Sequence, residues 1–251
     1  MAVQTTANAA GNAVYLHTTT TPAALLATTD AQSCCGWVRL SSTAGNQSIF
    51  GQYDGTHNAS VVPTTAIQIG VRTITATQRF AAWTWGAGIL VDSGAFVLAT
   101  NTWYHIGYTC TAISAGTQTH KIYINGALTT TATNATQIAG TLAQVYVNGY
   151  PQAAGGVGEE SSSQIEDVRV YNRILSDAEV LTMYTTEGVR DGIVDGLIFS
   201  AQMNDSAINS SAATAKDYSI NQNNLVQVIN GVGTGFTYVA GIASSNSRGP
   251  F

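Results

Sequence analysis

One stretch limits the fold more than any other: QIEDVRVYNRILSDAEVLTMY, residues 164–184, where a strand pattern turns directly into a helix start. Val168 and Val170 alternate with Asp167, Arg169 and Tyr171, the period-two signature of a half-buried strand. Asp167 and Arg169 are expected on the solvent face, where an ion pair stabilises little. Then the pattern breaks. Ser176 fits an N-cap, and Glu179 is placed to complete a capping box. Leu175 and Val180 flank the cap as a hydrophobic staple, and Gly188 stands where a left-handed cap would end the helix. The spacing predicts one short helix near 177–187.

The rest of the chain reads as strands and turns. CCGWVRL (34–40), SIFGQYDG (48–55), AIQIGVRT (66–73), RFAAWTWGAG (79–88) and AQVYVNG (143–149) are short apolar or alternating runs. TWYHIGYTC (102–110) puts Tyr104, Ile106, Tyr108 and Cys110 on one face. In HKIYINGALT (120–129), Ile122 and Ile124 face inward and Asn125-Gly126 is the favoured two-residue hairpin turn. Composition agrees. Charged residues are 9% of the 251, too few for surface helices, while 45% hydrophobic residues argue against disorder. The expected class is all-β, an antiparallel sandwich or jelly roll. Val168, Val170, Ile122, Ile124, Ile106 and Tyr108 are its expected core.

Four segments, in order, resemble one known family. CCGWVRL, NTWYHIGYTC, HKIYINGAL and IEDVRVYNRILSDAEVLTMY match the pattern of the LamG-like jelly-roll domain, in the concanavalin A-like lectin/glucanase superfamily. That pattern has a Trp-Val-x-Leu strand, a Trp-x-His strand, a Tyr-x-Asn-Gly hairpin and a closing strand–helix. The resemblance covers roughly residues 10–187. It implies two antiparallel sheets packed face to face, one of them usually concave.

The remainder departs from that pattern. DGLIFSAQMNDSAINSSAATAKDYSINQNNLVQV (195–228) resembles the stretch that normally opens such a domain, yet it follows the closing helix. The division expected is a sandwich over 1–190 and a C-terminal arm over 191–251. The arm is too short for a second sandwich, which needs on the order of 100 residues. Leu197 and Phe199, alternating with Ile198, and then Leu225, Val226 and Val228 should add strands to this sandwich or to a neighbour's.

Charge and motifs bound the chemistry. A net charge of -5 with no run of Lys and Arg argues against nucleic acid as a partner. No segment is apolar for long enough to span a bilayer as a helix, and the first residues lack the pattern of a secretory signal. Production in a cytoplasm follows as the expectation, with Cys34, Cys35 and Cys110 as free thiols. Glucanases of this superfamily need two carboxylates about 5 Å apart. Glu166 lacks a second carboxylate at the required spacing, and Glu159-Glu160 lies in a Gly/Ser loop. All three are expected as solvated surface groups, and no catalytic residue is assigned. His17, His57, His105 and His120 show no metal spacing, with His105 read as a hydrogen-bonded structural histidine. Asp54 and Asp92 are isolated turn aspartates. No metal or cofactor is expected.

Binding is the open class. Trp83 and Trp85 share one face of a strand, where they would stack on sugar rings if that face is open and fill a core or interface if it is not. Two roles follow as expectations. One is a non-enzymatic virion protein made in a host cytoplasm, a phage capsid decoration protein or tail or fibre component. Its partners would be other virion proteins and copies of itself. The alternative is a carbohydrate-binding module for host or cell-surface glycans.

Overall fold

The computed structural model describes residues 2–4, 13–18, 26–54, 66–84, 88–134, 140–151, 157–187, 191–203, 214–222, 224–230 and 237–239. The closing strand of the sequence, β16 (Ser163–Tyr171), sits inside an eight-stranded antiparallel sheet. On one side of it lie β4 (Gln32–Leu40), β9 (Trp103–Cys110), β10 (Gln118–Ile124) and β11 (Ala127–Asn134). On the other, β1 (Ala2–Gln4) pairs with its first half and β17 (Leu197–Ala201) with its second, and β20 (Thr237–Val239) pairs with β1. Asn125 and Gly126 both adopt positive φ in the β10–β11 hairpin, as the predicted turn requires.

The second sheet also has eight antiparallel strands. Its order is β18 (Thr214–Ala215), β19 (Leu225–Asn230), β2 (Ala13–Thr18), β13 (Gln144–Val147), β5 (Gln47–Tyr53), β6 (Ala66–Ile74), β7 (Thr77–Thr84) and β8 (Gly88–Asp92). Two minor pairs complete the strands among the described residues: β3 (Leu26–Ala27) with β12 (Thr141–Leu142), and β14 (Tyr150–Pro151) with β15 (Val157–Gly158).

Between the two sheets lies one apolar core. It holds Val38, Ile106, Tyr108, Ile122, Ile124, Val168 and Val170 from the first sheet and Phe50, Ile67, Ile69, Val71, Phe80 and Val145 from the second. Fully burying such a side chain contributes about 1.5–3 kcal/mol. Every residue expected in the core is there. The described strands of 191–251 join the same sheets, and Phe199, Ala201, Ala215 and Leu225 reach the same core.

A β-bulge corrects the reading of β16. Glu166 pairs with Trp37 and Arg169 with Cys35, so β16 carries one extra residue, and Asp167 takes it up at φ 53°. The bulge lets Ile165 and Val168 both face the core despite their odd spacing. A second bulge, at Ile198, pairs Leu197 with Tyr171 and Phe199 with Val170. Leu197 and Phe199 therefore join different clusters instead of sharing one face.

Helix α1 (Asp177–Thr185) covers the outer face of the first sheet. Its capping box forms as read: Glu179 N–H donates to Ser176 Oγ (3.2 Å), and Ser176 N–H donates to the Glu179 carboxylate (2.8 Å). Leu175, Val180 and Met183 pack with Cys35, Tyr123, Tyr171 and Ile193 into a second apolar cluster. Gly107 on β9 permits the close approach, since a Cβ there would lie 3.1 Å from Val180. Thr186 caps the helix and Glu187 takes the left-handed conformation, while Gly188 lies outside the described residues.

Candidate functional site

The two outer faces of the sandwich hold most of the described polar groups that the sequence singled out, while Cys34, Cys110 and His120 lie on the core side. Under α1, Glu166, Trp37 and His105 form one row across β16, β4 and β9. The Trp37 ring stacks on Tyr184 at 5.6 Å and tilts against His105 at 5.2 Å. Beside this row, Arg169 donates through Nε and Nη2 to both oxygens of Asp167 (2.9 and 3.1 Å), and through Nη1 to Asp191 (2.7 Å).

This arrangement overturns the expected solvent face. Asp167 is 4% exposed and Arg169 7% exposed, because the helix and residues 191–197 cover what alternation alone would leave open. Burial works against the Arg169 charge, but the two carboxylates more than offset it and its pKa moves up. Glu166 is fully buried as well, not a solvated carboxylate. His105 Nδ1 has no hydrogen-bond partner among the described residues. Burial, helped by the Arg169 charge, holds the His105 ring neutral with a pKa lowered to about 3. His120 is different: its Nδ1 meets Tyr108 OH at 2.9 Å, and burial lowers its pKa to about 4.

The second sheet presents the candidate site. Because Ile67, Ile69, Val71, Phe80 and Ala82 point into the core, Gln68, Gly70 and Arg72 on β6 and Arg79, Ala81 and Trp83 on β7 point outward. One row crosses five strands: His17, Tyr146, Gly51, Gln68 and Trp83 are successive cross-strand partners. Tyr53 packs edge-on against Tyr146 at 5.7 Å, and Tyr146 OH lies 3.2 Å from Ser48 Oγ. Gly51 has to be glycine, since a Cβ would fall 2.6 Å from Tyr146 OH and 2.2 Å from Ile67 O.

Trp83 belongs to this outer row and not to the core between the sheets. It is nonetheless only 2% exposed, with the Arg72 guanidinium 4.7 Å above its ring. Trp85 lies outside the described residues, as does His57. Arg72 pairs with Glu159, and Arg79 with Asp92 at 2.9 Å, so neither Glu159 nor Asp92 is an isolated acid. Burial raises the Glu159 carboxyl pKa against the pull of Arg72. Among the described residues, no group of three His, Cys, Asp or Glu is placed to hold a metal ion, and no helix is long and apolar enough to cross a membrane. Cys34, Cys35 and Cys110 are free and buried, with burial pushing each thiol pKa up.

The residue that sequence reading missed is Gln68. Both ends of its amide are buried without a hydrogen-bond partner among the described residues, and so is the indole N–H of Trp83 opposite it. Other buried amides, such as Gln52 and Gln118, have one end bonded. Leaving a buried polar group unpaired costs about 1–3 kcal/mol. Three such atoms therefore meet at one cross-strand position.

Known proteins place this architecture. Residues 11–181 match the Concanavalin A-like lectin/glucanases superfamily, and the chain belongs to it. No curated protein matches the chain by sequence. Among solved structures, it is similar to a native heptameric SAP-like pentraxin from Limulus polyphemus. That likeness has a TM-score of 0.58 at 15% identity and covers 91% of this chain and 94% of the pentraxin. It is also similar to a candidate carbohydrate binding protein from Bacteroides ovatus. Here the TM-score is 0.58 at 14% identity, covering 91% of this chain and 58% of the other. At these identities the likeness is one of fold.

Proposed function

We propose that this chain is a non-enzymatic carbohydrate-recognition module whose ligand face is the outer surface of the second sheet, centred on Gln68 and Trp83. The observation that carries the reading is the trio of unpaired buried atoms, Gln68 Nε2, Gln68 Oε1 and Trp83 Nε1. An amide offers a donor and an acceptor side by side, which suits a pair of neighbouring sugar hydroxyls, and an indole supplies both a donor and an apolar face. Tyr53 and Tyr146 pack edge-on beside this pair on the same sheet, where they are buried with Ala66. The description of the Bacteroides ovatus neighbour as a candidate carbohydrate binder supports the same class. Trp83 is covered in this structure, so ligand entry requires the Arg72 side chain to move from its ring. No catalytic role is proposed for Glu166, which lies beneath α1 on the opposite face.

A glycan array probed with the wild type, Gln68→Leu and Trp83→Phe tests this. Binding by the wild type that both variants lose supports the reading. Binding untouched by either substitution overturns the placement of the site, and no binding to any glycan overturns the function.

Display on a virion is a proposal about where such a module works. Its basis is the low charge of the chain, with charged groups on 9% of its residues. Negative-stain imaging of the purified protein and of particles from its host would test it. Free monomer absent from every particle would remove that role and leave the glycan reading standing.

A further inference from the structure

Arg72 and Arg79 stand directly opposite each other on β6 and β7, on the outer face that also carries Trp83. The chain has only nine Lys and Arg residues, yet two of them share one cross-strand position. Like charges placed this way destabilise a sheet, so the pairing needs anions beside it. Each arginine has one, and the two anions differ.

Asp92 is built into the sheet. It lies on β8 opposite Ala81, and its Oδ1 also accepts from Gly94 N–H at 2.7 Å. Glu159 is placed otherwise. It follows β15, outside any strand, in a left-handed backbone conformation (φ 53°), and its carbonyl accepts from Ser48 N–H at 2.6 Å. One carboxylate oxygen reaches Arg72, while the other, Oε2, is buried without a partner among the described residues. Asn46 also bonds this side chain, yet Arg72 reaches it through one nitrogen only, in a setting whose burial disfavours its charge.

The cation it holds sits over the proposed ligand row. Gly70 and Ala81 separate the Gln68–Trp83 pair from the Arg72–Arg79 pair, and their small size leaves the floor across which Arg72 reaches the Trp83 ring. Nε of Arg79 is buried without a partner among the described residues. The Arg72 and Glu159 side chains remain 24% and 19% exposed, so solvent reaches the ion pair while Trp83 lies beneath it.

We infer that Glu159 occupies the seat of a ligand carboxylate, and that the face takes an acidic glycan, a uronic acid oligosaccharide, whose carboxylate displaces Glu159 from Arg72. This rests on the reading of the face as a glycan site. Guanidinium groups match carboxylates in planar, two-bond geometry, which Glu159 leaves half used and a mobile ligand can complete. Displacement carries Arg72 away from Trp83, uncovering the ring face that its guanidinium occupies for a sugar to stack on. Glu159 is thereby an internal competitor.

The test is calorimetric titration of the full chain with glucuronate, galacturonate and mannuronate oligosaccharides, each beside its carboxyl-reduced neutral counterpart. The expected result is binding of an acidic member at least about tenfold tighter than its reduced partner. Arg72→Gln should remove that preference, and Glu159→Gln, which frees Arg72, should strengthen acidic binding several-fold. Thermal melting of both variants confirms that they fold. Should Arg72→Gln not fold, the Glu159→Gln comparison decides alone. Equal binding of acidic and reduced partners, or weaker acidic binding by Glu159→Gln, overturns this inference while the glycan reading stands. If no acidic or neutral glycan binds, both fall.

Discussion

Beneath helix α1, the outer face of the first sheet buries charge and gives it partners: Arg169 has a carboxylate on each side, and the helix closes over them. On the outer face of the second sheet, Gln68 and Trp83 are buried to a similar degree, yet three of their polar atoms have no partner among the described residues. The strands are of one kind and the sandwich is shared. The difference is what each face is completed by. Protein atoms complete the Arg169 clamp of the first, although Trp37 Nε1 and His105 Nδ1 beside it have no hydrogen-bond partner among the described residues. On the second, three open hydrogen-bonding atoms belong to one cross-strand pair, Gln68 and Trp83, with Arg79 Nε and Glu159 Oε2 also open nearby, the condition expected of a surface that a ligand completes.

The comparison breaks most violently if the cover of the first face is removed. Deleting 191–251 takes away β17, β18, β19 and β20, the Asp191 arm of the clamp, and Phe199 and Leu225 from the core. The shortened chain should be insoluble on expression. A soluble product with a cooperative melt would show instead that the arm is dispensable for folding. A single substitution probes the same face more finely. Arg169→Met leaves Asp167 and Asp191 buried without their cation, a change that costs about 3–5 kcal/mol. Urea unfolding should show that loss, and a loss under about 1 kcal/mol, the size of an exposed pair, would mean that water reaches the clamp.

Much of the first face was legible locally, and the parts that were not are non-local. Val168, Val170 and the Ser176–Glu179 box follow from period and capping chemistry, and all are where the sequence puts them. Asp167 and Arg169 were misplaced because alternation assigns sides of a strand but not what covers each side. The bulge at Asp167 has no glycine to announce it. The second face failed for another reason. Its register depends on a two-residue turn, Thr75-Ala76, where both residues adopt positive φ without any Asn or Gly. Without that turn, AIQIGVRT and RFAAWTWGAG are two separate strands, and neither the Gln68–Trp83 pair nor the Arg72–Arg79 pair can be seen. Reading Gln68 and Trp83 as the same side of one hairpin was possible only once the turn was known.

The second face offers the converse experiment. If Gln68 is held unpaired for a ligand, it destabilises the free protein, and Gln68→Leu should raise stability by about 1–3 kcal/mol while abolishing glycan binding. Melting with and without ligand separates the two effects. A Gln68→Leu variant that is less stable than wild type would mean that the amide is bonded in solution, and the contrast between the faces would shrink accordingly.

The smallest expected effect sharpens the comparison at the edge of the first face, where the helix that closes it begins. Ser176→Ala removes the hydroxyl that accepts from Glu179 N–H and should cost about 1 kcal/mol. Acid dissects the same cover. Hydrogen bonds from Arg173 and from Ser176 lower the Glu179 carboxyl pKa to about 2, below its ordinary 4.5. A carboxyl depressed on folding contributes its full stability above about pH 4.5 and loses it as pH falls through about 2. The buried imidazoles act earlier. His105 and His120 are lowered from 6.5 to about 3 and about 4, so the unfolded chain binds the extra protons and stability should already fall as pH drops below 6.5. Glu179→Gln should therefore reduce the slope of the stability profile between pH 4.5 and 2, where the histidines still contribute down to about pH 3, and leave the decline between 6.5 and 4.5 intact. A profile flattened in the upper range instead would tie the helix cap to the histidines beneath it, and the cover and the clamp would have to be treated as one cooperative unit.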